Sequence, residues 1–219
     1  MRVFLHLSLK YIIFVKSMKN SVINSVREIL SSRDRGEVFV LKDFSSAGSE
    51  NAVKKALSRL SSSGEITRLG RGIYCALKSD EVFGFGKIYP SRDQVALAVA
   101  QSEGISIIPT IEYAMNAMNL STQIQTNSVF LTDGCRRHIK LDGYKGAGIT
   151  LVHSSNTRLF KIRNRRMLLI ILSMMGIGEN NIDGNKISLI KSHLETVSLQ
   201  DYLHDIQFAP VWIRKKLIS

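Results

Sequence analysis

Cysteine is scarce in this chain: two in 219 residues, Cys75 and Cys135. Neither belongs to a C-x-x-C pair, and the five histidines show no H-E-x-x-H or similar spacing, so no zinc site of ordinary pattern is legible. Two such thiols read as reduced, inert cysteines of a cytoplasmic protein. A long apolar run is missing as well. The stretch Val3–Val15 is interrupted by His6 and Lys10 and falls short of the ~20 residues that a membrane helix needs. No A-x-A-like cleavage site follows it. Residues 1–18 are therefore set aside as an N-terminal extension. A true translation start at Met18 is the preferred reading, and an extra apolar helix or strand packed on the body is the alternative. There is no P-loop, no dinucleotide glycine pattern and no Ser/His/Asp or Cys/His order that suggests a nucleophile. The expectation is a protein that is not an enzyme, with no cofactor, no metal and no membrane span. Internal repeats and low-complexity tracts are absent too.

Acidic residues are also few: 18 against 30 lysines and arginines, a net charge of +12. The hydrophobic fraction of 44% is ordinary for a soluble globular protein and enough for a real core. The basic surplus is what stands out. It attracts polyanions, whether DNA, RNA, an acidic partner or a membrane surface. It is spread as +3 over residues 1–18, +4 over 19–77 and +5 over 78–219.

The pattern from 19 to 78 predicts one small domain. Ser21–Leu30 places Val22, Val26 and Leu30 on one helical face. Val38-Phe39-Val40 reads as a short strand, and Leu41–Phe44 as the start of a short second helix. Ala47-Gly48-Ser49 is a turn, with Ser49 as N-cap and Glu50 favouring the helix dipole. In the helix from Glu50 to Ser62, Val53, Ala56, Leu57 and Leu60 form the core stripe. Asn51, Lys54, Lys55, Ser58 and Arg59 are left outside. Gly64 ends that helix. Glu65–Leu69 and Gly72–Leu77 read as strands around a tight Gly70-Arg71-Gly72 turn. Helix, strand, short helix, helix, hairpin is the order of a winged helix-turn-helix module. Its third helix suits a major groove about 12 Å wide, and its hairpin can reach phosphate or a minor groove. The expected double-stranded DNA contacts are Ser49, Asn51, Lys54, Lys55, Ser58, Arg59, Arg68 and Arg71. The competing reading of each is solvated surface, and Gly70 and Gly72 serve the turn.

Pro90-Ser91, after the Gly-rich run Phe83-Gly84-Phe85-Gly86, marks a junction. Residues 90–219 are expected to form a mixed α+β domain. Asp93–Gln101 and Ile111–Leu120 read as helices. Ser128–Thr132, Arg136–Leu141 and Gly148–His153 read as three strands of an antiparallel meander, with Asp133-Gly134 and Asp142-Gly143 as hairpin signals. A long helix follows over Thr157–Met175, then short helices at Ile187–Leu194, Leu199–Asp205 and Val211–Leu217. The basic stretch Arg158, Lys161, Arg163, Arg165, Arg166 reads equally as a second nucleic-acid surface or as solvated charge. The polar group Asn116, Ser121, Thr122, Gln123 reads equally as a binding surface or as capping and turn chemistry.

Several motifs occur together: ALSRL at Ala56–Leu60, RLGRGIY at Arg68–Tyr74, LSTQ at Leu120–Gln123 and FLTDG at Phe130–Gly134. With Asp43-Phe44, Pro109, Tyr113-Ala114 and Asn116-Ala117, the chain from about Val22 to Gly176 resembles the AbiEi-like type IV antitoxins and the related domain-of-unknown-function family of winged-helix regulators. The resemblance implies an N-terminal module that represses its own operon at promoter repeats. It also implies a C-terminal domain that counteracts a co-encoded nucleotidyltransferase-like toxin in abortive phage infection. Toxin and antitoxin need not touch in such pairs. The alternative is a protein- or RNA-binding module that neutralises a toxin by direct contact. The extension before Lys19 and the tail after about Asn180 depart from the family pattern.

Overall fold

The computed structural model describes residues 21–80, 86–122, 128–146 and 148–218. The N-terminal extension with its start-site reading, the Phe83-Gly84-Phe85 run and Gln123 lie outside the described residues. The chain is a mixed α+β protein that divides into two compact units. The first runs through Glu103 and takes in Leu141–Gly143 from further along the chain. The second holds Gly104–Lys140 and the residues from Tyr144 onward.

In the first unit, α1 (Val22–Ser31) starts at Ser21, whose hydroxyl accepts the Asn24 N–H. β1 (Val38–Val40) follows, then a 3-10 segment (Leu41–Ala47), then α2 (Glu50–Ser62). Asp43 caps the 3-10 segment by accepting the Val40 N–H at 2.9 Å. β2 (Thr67–Gly70) and β3 (Ile73–Cys75) complete an antiparallel sheet ordered β1-β3-β2. Strand alternation sends Phe39 to one face of β1 and Val38 and Val40 to the other. Phe39 meets Phe44 edge-on at 5.4 Å and stacks with Tyr74 at 6.3 Å. Around them gather Val26, Val53, Ala56, Leu57 and Leu60, the stripe expected of α2.

All three β1 residues are buried, so the second face needs a cover as well. The helix α3 (Arg92–Glu103) packs on β1, with Val95, Ala96, Val99 and Ala100 buried. The junction at Pro90-Ser91 places it in the second domain, but in the structure it lies in the first unit. Between them β4 (Lys78–Asp80) and β5 (Gly86–Ile88) pair as an antiparallel ribbon that the sequence reading did not foresee.

The second unit is built around α5 (Arg165–Ile177), a helix buried on nearly every side from Met167 to Met174. α4 (Ile111–Ala117) approaches it closely at Gly176, where a Cβ would lie 2.5 Å from the Ile111 Cγ2. α6 (Gly184–Leu194) and α8 (Val211–Ile218) contribute Ile190, Ile213 and Leu217 to the same core, and Tyr202 of α7 (Leu199–Asp205) packs against it. The sheet contains β6 (Ile107–Pro109), β7 (Ser128–Thr132), β8 (Arg137–Ile139) and β9 (Ile149–His153).

Two expectations fail here. The strands are not an antiparallel meander. Their order is β6-β7-β9-β8, with β9 inserted parallel to β7 and antiparallel to β8. Asp133-Gly134 joins β7 and β8, which do not pair, while Asp142-Gly143 lies in the connection of the antiparallel β8–β9 pair but makes no tight turn there. The Asp133 carboxylate accepts the Ser106 N–H at 2.8 Å, anchoring the chain before β6. Leu141-Asp142 instead pairs with the edge of β2 in the first unit. The second failure is the long helix over Thr157–Met175. Its first part is a 3-10 turn (Leu159–Lys161) and extended chain, and α5 begins only at the N-cap Asn164. The Asn164 side chain accepts the N–H groups of Arg166 and Met167, which starts the helix there.

Candidate nucleic-acid interface

The α2 helix carries the candidate surface. Because Val53, Ala56, Leu57 and Leu60 are committed to the core, the 3.6-residue period turns Asn51, Lys54, Lys55, Ser58 and Arg59 outward, and all five are exposed. Ser49 adopts extended N-cap geometry, yet its hydroxyl makes no capping bond and is itself exposed. Lys54 is the exception to an open cationic face. It pairs with Glu50 one turn earlier, and its ammonium holds that carboxyl below the ordinary range. Lys55 and Arg59 have no ion-pair partner among the described residues.

The β2–β3 hairpin lies beside this helix in sequence and is short. Gly70 faces Ile73, leaving Arg71-Gly72 as the loop, and Gly72 takes φ +74° as the tight turn requires. Arg71 is exposed at the tip and forms no ion pair among the described residues. The tip is tied down by the Leu41 N–H, which donates to the Gly72 carbonyl at 3.1 Å. Lys42, exposed one residue beyond that bond, joins the candidate set. Sequence reasoning passed over it because nothing in the chain order links the 3-10 segment to the hairpin.

Arg68 is placed differently from the others. Its Nε donates to the Gly70 carbonyl at 3.1 Å, and the Asp142 carboxylate lies 3.8 Å from the same nitrogen. Two other arginines of the unit are closed off by acids. Arg27 grips Glu65 through two bonds of 3.0 and 2.8 Å, and Arg33 pairs with Glu37 at 2.7 Å while lying over the Phe44 ring. These two hold the fold and are not open to a ligand.

In the second unit the side chains of the basic stretch are partly engaged. Arg158 donates to the Gln207 carbonyl at 2.9 Å, Arg165 to the Tyr113 hydroxyl at 3.0 Å, and Arg166 approaches the His193 Nδ1 at 3.1 Å. Asn116 donates to the Ser121 carbonyl at 3.3 Å, which is turn chemistry. A feature missed entirely is Asp205. It is fully buried, accepts the N–H groups of Arg163 and Asn164 at 3.0 and 2.8 Å, and touches His204 Nδ1 at 2.7 Å. Some forty residues separate these partners, so no local signal could have shown the contact.

Among the described residues no three His, Cys, Asp or Glu side chains gather as a metal site, and no helix is long and apolar enough to cross a membrane. The described chain is thus a mixed α+β protein of two compact units, the first of which exposes a cationic helix face beside a basic hairpin tip. It belongs to the family described as Family of unknown function (DUF6088), whose sequence model matches residues 25–201. Neither a curated protein nor a solved structure matches the chain.

Proposed function

We propose that this chain is a DNA-binding repressor of its own operon, acting in the cytoplasm as the antitoxin of a toxin–antitoxin pair. In this reading α1, the 3-10 segment, α2 and the β2–β3 hairpin form a winged helix-turn-helix, with α2 in the major groove. The observation that carries it is the exposed face of α2. Lys55, Ser58 and Arg59 stand there without carboxylate partners among the described residues, whereas Arg27 and Arg33 of the same unit are ion-paired. Only Lys54 on this face is neutralised, by Glu50, and cations left unpaired are what phosphate contacts require. The antitoxin half rests on the ALSRL, RLGRGIY, LSTQ and FLTDG resemblance. It implies a co-encoded nucleotidyltransferase-like toxin, counteracted without catalysis or cofactor by this chain.

Fluorescence anisotropy on a duplex from upstream of the gene tests the DNA-binding half. Specific binding is expected at about 0.15 M salt. Lys55→Ala with Arg71→Ala should weaken it and reduce the slope of log K against log[salt] by roughly 2, at about 0.9 per lost phosphate contact. Equal, weak binding to any duplex, with an unchanged slope in the double variant, would sink the proposal. Coexpression with the neighbouring gene tests the second half through rescue of growth. A stable co-purifying complex there would replace this reading with neutralisation by direct contact.

A further inference from the structure

The segment Leu141–Gly143 is inserted between β8 and β9 of the second unit, yet folds as part of the first. It forms a strap along the free edge of β2. Leu141 bridges Gly70, and the Asp142 N–H donates to the Leu69 carbonyl at 2.7 Å. Gly143 takes φ +81°, and a Cβ there would meet Tyr89 at 3.2 Å, so the strap leaves the edge along a path that glycine permits. The pairing covers an otherwise open sheet edge. It also places the Asp142 carboxylate 3.8 Å from the Arg68 Nε.

Two functions of Asp142 make opposite predictions. As an orienting partner, it would help Arg68 bind phosphate. As a competitor, it would hinder binding. The Gly70 carbonyl already holds the Nε at 3.1 Å and belongs to Arg68's own strand, so orientation survives without Asp142. What Asp142 adds is a negative charge beside a proposed phosphate contact. The pair is half exposed, at 54% and 62% for the two side chains. Such pairs are weak and easily exchanged.

We infer that Asp142 is an intramolecular phosphate mimic that attenuates DNA binding by Arg68. This rests on the DNA-binding reading proposed above. Any event at the β8–β9 connection that lifts Leu141-Asp142 from β2 removes the competing charge and raises affinity. The occupant with which Asp142 competes is the DNA backbone.

The test uses the full chain and the upstream duplex at several salt concentrations. Asp142→Asn keeps the backbone pairing and the side-chain shape while removing the charge. It should bind about 3- to 10-fold more tightly at low ionic strength, with the gain shrinking as salt screens the exposed charges. Asp142→Glu restores the charge and should return toward wild-type affinity. In an Arg68→Ala background, Asp142→Asn should gain little, since no arginine is left to release. Wild-type or weaker binding by Asp142→Asn overturns the inference, and so does an equal gain with and without Arg68. If the wild-type chain itself binds no duplex, the DNA-binding reading falls and takes this one with it.

Discussion

Replacing Asp205 with alanine removes the acceptor that holds the start of α5. The carboxylate is fully buried and satisfies two backbone donors, the N–H groups of Arg163 and Asn164. Alanine cannot replace either bond, and each orphaned buried donor costs about 1–3 kcal/mol. Both bonds are only part-buried, so water recovers some of the loss. The His204 contact adds little, because that ring is partly exposed. The expected cost is therefore about 2–4 kcal/mol, a large part of the roughly 5–15 kcal/mol typical of a folded domain. Asparagine keeps one oxygen but turns an amide NH2 toward the second N–H, so Asp205→Asn should fall between alanine and wild type. Urea unfolding followed by far-ultraviolet circular dichroism measures both, with Glu195→Ala, an exposed site, expected within about 0.5 kcal/mol of wild type. A loss below about 1 kcal/mol for Asp205→Ala would refute the claim that this carboxylate anchors α5.

Other outcomes follow from the packing. At Gly148 an added Cβ would lie 2.0 Å from the Ile139 carbonyl oxygen, so Gly148→Ala should lower the unfolding free energy by about 1–3 kcal/mol, more than a surface substitution does. Gly184 has nothing within 4 Å and opens α6, so Gly184→Ala should be neutral or stabilising by up to about 1 kcal/mol. Leu57→Ala empties a fully buried site in the first unit and should cost about 2–5 kcal/mol in the same assay. Burial pushes the Cys75 thiol from its ordinary value near 9.0 up to about 11, whereas Cys135 is exposed. A thiol reagent at pH 8 should therefore modify Cys135 promptly and Cys75 only after unfolding. Because the folded state holds the Cys75 proton more tightly, its contribution to stability is complete below about pH 9. It is lost as the pH rises toward 11. Fast modification of both thiols in the native protein would contradict this burial.

Periodicity was the reliable guide wherever a helix had one wet face. The stripe Val53, Ala56, Leu57, Leu60 is buried as expected, and Ser49, Asn51, Lys54, Lys55, Ser58 and Arg59 are all exposed. That follows from local geometry, since a 3.6-residue repeat against a single core permits one orientation only. Turn signals were less reliable. Asp-Gly at 133 and 142 favours tight turns in any short peptide, but which strands pair depends on partners far away. Here β9 took the place beside β7, and the Asp142 strap found the edge of β2.

By itself, the sequence determined a basic chain with an amphipathic α2, a tight hairpin turn at Gly70-Arg71-Gly72 and a mixed α+β second half. Only the tertiary structure decided which charges remain free. Lys54 is taken by Glu50, Arg27 by Glu65 and Arg33 by Glu37. Arg68 is shared with Asp142, while Lys55, Arg59 and Arg71 have no ion-pair partner among the described residues. The physical reason is range. Amphipathicity is set by neighbours within two turns of helix, whereas an ion pair can form between residues 74 positions apart, as Arg68 and Asp142 show.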